Sequence, residues 1–248
     1  MDRYGLIGFP LGHSYSAVYF NQKFSHEELN AIYELYPLPA GTDFRTWAAS
    51  IPALKGFSVT IPYKQAILPF LDHLTPEALE IGAVNAVKVL HKPSGLLLVG
   101  NNTDWSGLTA AMEAMGYDRH SKALVLGTGG AARAAVYALR LLGIPSTMVS
   151  RKPGNEEVLA YQDVDQRTMA SHHVIVNATP VGMFPDISAC PPLPYTAATP
   201  DHLFFDMVYN PEETAFMRKA AAAGARVSNG YFMLISQAEQ AWRWWQSE

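Results

Sequence analysis

Apolar positions along the chain recur with two different periods, and the switching between them marks out the elements. Short apolar runs at Tyr4–Gly8, Ile32–Leu38 and Phe57–Ile61 read as buried strands, the last running into a loop at Pro62. Between and after them, Ala17–Phe24, Phe44–Ile51 and Glu77–Ile81 carry helical spacing. The stretch from Gly82 to Val89 enters a strand, Pro93-Ser94-Gly95 makes a hairpin turn, and Leu96–Val99 pairs back. Asn101-Asn102-Thr103-Asp104 then opens a helix containing Leu108, Met112 and Met115. In the second half, strands are expected at Ala123–Leu126, Ser146–Ser150, Val174–Val176, Leu203–Met207 and Ala225–Ser228. A helix runs to Leu142 and is stopped by Gly143 and Pro145, and another starts within Tyr209–Thr214 and passes through an alanine tract. Residues 185 to 200 are rich in proline and form a surface loop. The last helix, Tyr231–Gln246, places Leu234, Ile235, Ala238, Ala241, Trp242 and Trp245 on one face, which is a core face. Strands alternating with helices predict an α/β fold.

One stretch is more specific than the rest. Ala123–Leu126 enters Gly127-Thr128-Gly129-Gly130-Ala131-Ala132, a helix-forming segment follows, and Ser146–Ser150 is the next strand. This is a βαβ unit with G-x-G-x-x-A at its first turn, a variant of the dinucleotide fingerprint. Gly127 permits the tight turn, Gly129 lets backbone approach a pyrophosphate, and Ala132 lets helix pack on strand. The helix N-terminus offers free N–H groups and a positive dipole end to phosphate. The second strand of a unit that binds NAD usually ends on an acid; here it ends Val149-Ser150-Arg151-Lys152, with no acid before Glu156. Arg151 is suited to stacking on adenine or forking onto a 2′-phosphate, and Lys152 adds charge. The bland alternative is two solvated bases in a loop.

Composition narrows the class. The 248 residues allow one large domain or two small ones, and 49% hydrophobic with 16% charged residues is an ordinary globular balance. A formal net charge of −4 leaves no electrostatic footprint for nucleic acid or an anionic membrane. Cys190 is the only cysteine, so an internal disulfide is impossible. The first residues lack the apolar core of a signal peptide and no apolar run approaches a membrane span, so a cytoplasmic location is expected. The histidines, His172-His173 included, show no metal-ligand spacing, and no metal is expected.

Several polar residues carry two readings each. In His13-Ser14-Tyr15-Ser16, two hydroxyls follow a strand; Ser16 as a helix cap is the favoured local reading, a pair of ligand donors the other. Lys64 lies just past the strand ending at Pro62, and most lysines are solvated, yet loops at the carboxyl ends of strands are where open α/β sheets place ligands. Asn85 interrupts an apolar pattern, so it is either bonded in the core or used on a ligand. Thr103 or Asp104 in a bland role caps the following helix.

Taken together, these motifs resemble the shikimate dehydrogenase family (shikimate/quinate dehydrogenases) over essentially the whole chain. The resemblance rests on Ser14-Tyr15-Ser16, Val59 to Lys64, Gly82 to Asn85, Asn102-Thr103-Asp104, Gly127 to Ala131, Asn177-Ala178-Thr179, Gly182-Met183, Asp206 to Tyr209, and Gly230 with Gln237. It implies two α/β domains with a cleft between them, the second a Rossmann-like dinucleotide-binding domain. Residues 1–103, completed by the C-terminal helix 231–248, are then the substrate domain, and 104–230 the NADP domain. It implies Lys64 and Asp104 as the catalytic pair. Ser14, Ser16, Thr60, Lys64, Asn85, Asp104, Tyr209 and Gln237 are implied to hold the substrate. Gly127, Thr128, Gly129, Gly130, Ala131, Ser150, Arg151, Lys152, Thr179, Met207 and Gly230 are implied to hold the cofactor.

The expected activity is NADPH-dependent reduction of 3-dehydroshikimate to shikimate by a monomer or homodimer that has no nucleic-acid or membrane partner. The alternatives are a quinate/shikimate dehydrogenase using NAD(P) and a non-catalytic sensor of a pathway metabolite. Intact Lys64 and Asp104 argue against the sensor. The chain departs from the usual family pattern at Ala17 (proline), Phe20 (histidine), Ser58 (asparagine), Ala86 (threonine) and Trp105 (glycine), and it stops soon after its last helix. None of these removes a proposed catalytic group, although Trp105 beside Asp104 is placed to reshape the pocket.

Overall fold

The computed structural model describes every residue except His13, Ser94, Arg119, Asn155 and Glu248; the middle of the expected hairpin turn and the residue before Ser14 therefore lie outside the described residues. The chain divides into two compact units, Met1–Thr103 with Ala238–Glu248, and Asp104–Gln237. The second cut falls inside the last helix, not ahead of it at Gly230.

The first unit is built on a six-stranded sheet. Its strands are β1 (Asp2–Gly8), β2 (Ala31–Pro37), β3 (Leu54–Val59), β4 (His73–Leu74), β5 (Ala86–Lys92) and β6 (Gly95–Asn101), in the order β2-β1-β3-β5-β6-β4. β1 pairs in parallel with β2 and β3, while β5 runs antiparallel to β3 and β6. The carboxyl ends of β1 and β3 thus lie beside the start of β5 and the end of β6.

One face of this sheet buries Ile7, Phe57, Val59 and Val87 beneath α2 (Phe44–Ser50), a helical turn, α3 (Tyr63–Ala66), and α4 (Pro76–Ile81). The other face is covered by α1 (Ser16–His26) and the second half of the last helix, α9 (Tyr231–Gln246), through Tyr4, Phe20, Phe24, Tyr33, Ala238, Ala241 and Trp245. Trp245 lies flat enough on β3 that a Cβ at Gly56 would sit 2.7 Å from its ring, and its Nε1 donates to Val87 O at 3.0 Å. Truncating such a buried indole costs about 3–5 kcal/mol.

The second unit carries β7 (Ala123–Leu126), β8 (Ser146–Ser150), β9 (Val158–Ala160), β10 (Val174–Asn177), β11 (Leu203–Asp206) and β12 (Arg226–Ser228). All pair in parallel, in the order β12-β11-β10-β7-β8-β9, which is the doubly wound order with its switch point between β7 and β10. The central strands β7, β10 and β11 are buried at every position, the mark of a sheet covered on both faces. Helices α5 (Asp104–Met115) and α6 (Gly130–Leu141) cover one side with Met233 from the start of α9. α8 (Ala215–Ala222) and the short α7 (Gln166–Ser171) cover the other.

The local pattern misplaced some boundaries. α8 starts at Ala215, not within Tyr209–Thr214, because the Thr214 hydroxyl accepts the Met217 N–H and sets the cap there. α3 replaces the loop expected after Pro62. The edge strands β4 and β9, two and three residues long, were too short to show a period.

Candidate functional site

At the carboxyl edge of the first sheet, backbone bonds gather the candidate residues. Thr60 N–H donates to Ile7 O at 2.9 Å, and Val59 N–H donates to Asn85 O at 2.8 Å. Val84 N–H donates to Lys64 O at 2.7 Å, so Thr60, Lys64 and Asn85 share one corner. Lys64 is half-buried on α3, and that turn is pinned by buried Tyr63, whose hydroxyl donates to Leu38 O at 2.6 Å. This is no loose surface lysine.

Asn85 is buried and bonded to Thr103: its Oδ1 accepts the Thr103 N–H at 2.6 Å, and its Nδ2 donates to Thr103 Oγ1 at 3.0 Å. Of its two readings, core bonding therefore has geometry here, and it fixes the residue just before Asp104. At the entry to α1, Ser14 Oγ accepts the Ser16 N–H at 3.3 Å. Ser16 is not the cap favoured by local pattern. The cap position is Tyr15, with no side-chain cap bond, so the Ser16 hydroxyl sits in the first turn instead.

The second unit holds the other candidates. Asp104 is buried as the first residue of α5. Gly107, one turn on, is bare because a Cβ there would meet Met233 O at 2.7 Å and Gln237 Cβ at 3.0 Å. That close approach brings Gln237, whose Nε2 donates to Leu234 O at 2.8 Å, up to the first turn of α5. Trp105 turns into the core of this unit, edge-on to Tyr137 of α6 at 5.5 Å. Its bulk is therefore absorbed by packing rather than spent beside Asp104.

The glycine turn stands at the switch point. Gly127 has φ +111°, a left-handed conformation that favours glycine, and its N–H donates to Val149 O at 2.8 Å. A Cβ on Gly127 would lie 3.2 Å from Thr179 Cγ2, which places the β7 and β10 turns side by side. Gly129 caps α6 with no side-chain bond, and a Cβ there would meet nothing within 4 Å. Thr128 and Gly129 are exposed, so the first N–H groups of a three-turn helix face open space, the arrangement that takes a phosphate. At the end of β8, Ser150 Oγ accepts the Lys152 N–H and donates to Lys152 O, both at 3.2 Å. This braces a turn that presents exposed Arg151 and Lys152 where an acid stands in the NAD pattern. Further along, Gly230 N–H donates to Val208 O at 3.2 Å, and a Cβ on Gly230 would collide with the backbone of Met207. Met207, Val208 and Gly230 thus form one junction, with Tyr209 next in the chain.

Comparison with known proteins assigns the chain. Residues 6–87 match the profile of the shikimate dehydrogenase substrate binding domain. The NADP(+) shikimate dehydrogenase of Oleidesulfovibrio alaskensis is 38% identical over 98% of this chain and 88% of its own length. The chain belongs to the shikimate dehydrogenase family. Among solved structures, the shikimate 5-dehydrogenase of Thermus thermophilus, in complex with NADP(H) and shikimate, superposes with TM-score 0.86 at 35% identity, covering 99% of this chain and 94% of that one. The quinate dehydrogenase of Corynebacterium glutamicum, in complex with NAD, gives TM-score 0.83 at 28% identity, covering 99% and 93%.

Within this shikimate dehydrogenase scaffold, the sequence named Asp206 as part of a motif but assigned it no job. It is fully buried and gathers the junction: Oδ1 accepts from Asn177 Nδ2 at 2.9 Å and Val208 N–H at 3.0 Å, and Oδ2 accepts from the Thr214 hydroxyl at 2.6 Å. Burial pushes its carboxyl up to about 6. An acid closing the apolar run Leu203-Phe204-Phe205 was the available signal.

Proposed function

We propose that the chain catalyses the reversible NADPH-dependent reduction of 3-dehydroshikimate to shikimate, a step of aromatic amino-acid biosynthesis. The observation that carries this is Lys64, held half-buried on a pinned turn beside Thr60 and Asn85 in a member of this family. Ser14, Ser16 and Thr60 offer hydroxyl donors to the substrate carboxylate. Asn85, Asp104, Tyr209 and Gln237 hold the ring hydroxyls. As the ketone is reduced, charge builds on its oxygen; the Lys64 ammonium stabilises that charge and delivers the proton. Asp104 accepts a hydrogen bond from the substrate and is the second member of the catalytic pair.

The residues of the second unit fit NADP on their own geometry. Gly127 to Ala131 would cradle the pyrophosphate with main-chain N–H groups, and Ser150, Arg151 and Lys152 would hold the 2′-phosphate. Thr179, Met207 and Gly230 would line the nicotinamide end. NADPH supplies the hydride when bound.

Residues 1–103 with the C-terminal helix act as the substrate domain and the inserted segment as the cofactor domain. A cytoplasmic monomer or homodimer, with neither nucleic acid nor membrane as partner, suits this role and the lone Cys190. No helix of the described residues is long and apolar enough to cross a membrane.

The test is an assay of the purified chain with shikimate and NADP, following absorbance of the reduced cofactor. Steady formation of NADPH is expected. A folded chain that forms none would remove this proposal and leave the sensor.

A further inference from the structure

Two departures from the family pattern, Phe20 and Ser58, meet at one residue of the first unit. Tyr33, on β2, is fully buried, with its ring stacked on Phe20 at 4.5 Å and 12°. Its backbone is clamped by Asn21, which donates to Tyr33 O and accepts from Tyr33 N, both at 2.9 Å. The ring is therefore fixed in place. Yet among the described residues, the Tyr33 hydroxyl is the one buried side-chain polar atom without a hydrogen-bond partner. Phe20 offers it nothing to bond. Burial pushes the phenol pKa up, and the one side chain that offsets this is Ser58, whose hydroxyl lies near without reaching hydrogen-bond geometry.

A buried hydroxyl left unpaired is costly, and the cost falls away when both partners are replaced by apolar groups, so an orphan in a tightly packed core needs a reason. The register supplies one. β1 lies between β2 and β3, with Tyr33 opposite Tyr4 and Leu6 opposite Ser58, so the Tyr33 ring reaches across β1 towards β3. Ser58 and Thr60 are two residues apart on one chain segment and point to the same face. Ser58 is partly exposed where Tyr33 is not. The order from core to edge is Phe20, Tyr33, Ser58, Thr60.

We propose that Tyr33 is a substrate-positioning residue: its hydroxyl donates to Ser58 Oγ when substrate is present, which leaves the Ser58 proton to be given to the substrate carboxylate beside Thr60. Serine is short, and the phenol behind it fixes which way its hydroxyl turns. A serine hydroxyl both accepts and donates, so one relay satisfies the phenol and adds a donor to the carboxylate. This inference rests on the shikimate reading given above.

The test is steady-state kinetics with shikimate and NADP on wild type, Tyr33→Phe, Ser58→Ala and the double variant, with thermal melts of each. Tyr33→Phe should raise KM for shikimate roughly three- to tenfold, the worth of one hydrogen bond, with kcat and KM for NADP nearly unchanged. Its melting temperature should not fall, since it loses an unpaired hydroxyl and keeps the stacked ring. Ser58→Ala should raise KM at least as much, and adding Tyr33→Phe to it should change nothing further, because the phenol acts only through the serine. A Tyr33→Phe enzyme with wild-type KM, or one whose effect multiplies with that of Ser58→Ala, would overturn the relay alone. Wild type without turnover of shikimate would overturn the shikimate reading and the relay together.

Discussion

Along the edge of the first sheet, Thr60, Lys64 and Asn85 bring candidate side chains together; along the edge of the second, Gly127 and Gly129 present bare backbone. The contrast follows from what each edge is proposed to hold. A ring carrying a carboxylate, hydroxyls and a ketone needs donors at separate, defined points, and only side chains reach out to them. A pyrophosphate is a diffuse double charge that accepts from consecutive main-chain N–H groups, and there a Cβ is an obstruction. The sheets suit these tasks. The mixed sheet of the first unit brings strand ends and strand starts to one edge, whereas the parallel second sheet has a switch point between β7 and β10, the place where such sheets take ligands. Chemistry is thus expected to be sensitive to side-chain deletion in the first unit, and cofactor choice to a few charged groups in the second.

Lys64 gives the largest expected effect. Lys64→Ala should lower kcat on the order of 10²- to 10⁴-fold, far more than it raises KM, and Lys64→Met should do the same while keeping the stem's packing. Asp104→Asn keeps shape and capping ability but loses charge, and a large fall is expected there too. The double variant should be much less than multiplicatively worse. If Lys64 were only a surface charge, Lys64→Ala would turn over at nearly the wild-type rate.

Arg151 comes next. Arg151→Ala should raise KM for NADP by roughly tenfold, the worth of an exposed charge-assisted contact, and leave KM for NAD unchanged. An equal change with both cofactors would mean that Arg151 reads something other than the 2′-phosphate.

The smallest effect concerns stability and should be indifferent to substrate. His202 is buried on the second unit's core, its Nε2 donating to Met169 O at 3.1 Å and its Nδ1 accepting the Thr199 N–H at 3.1 Å, an arrangement that requires the neutral ring. Burial holds its pKa below the usual value. Its stabilising contribution is therefore complete above about pH 6.5, the unfolded value, and is lost as pH falls through the folded value. Asp206 works in the opposite sense. With its carboxyl raised to about 6, its contribution is complete below the ordinary carboxylate range and is lost as pH rises through about 6. Comparing melts of wild type and His202→Gln between pH 7 and 5 isolates the histidine: the gap between them should narrow as pH falls. A gap independent of pH would contradict the assignment.

The two edges also differed in how plainly the sequence showed them. The glycine turn was legible because glycine spacing between a strand and a helix is itself the signal, and Gly127 to Ala132 has no other pattern to obey. Side-chain residues such as Thr60, Lys64 and Asn85 are scattered through the chain, and local pattern gave each a bland reading; only the family motifs singled them out. Ser16 shows the limit of local rules, since the hydroxyl that suited a cap lies one residue inside the helix. Tyr33 shows another. In the sequence it is one more apolar position of a strand, and its orphaned hydroxyl emerges only when β2, β1 and β3 are laid side by side. The division inside α9 was hidden as well, because one helical face carries both Met233 and Trp245 while the two pack into different cores.

The most direct test of the proposed activity is a matrix of initial rates for shikimate and quinate against NADP and NAD, on one preparation of the wild-type chain. Shikimate with NADP should give by far the highest kcat/KM. Quinate carries an extra hydroxyl at the carbon bearing its carboxylate and is bulkier there, where Ser14, Ser16 and Thr60 are proposed to bind, and NAD lacks the phosphate that Arg151 and Lys152 are proposed to hold. Comparable efficiency for quinate, or equal use of NAD, would contradict the proposal.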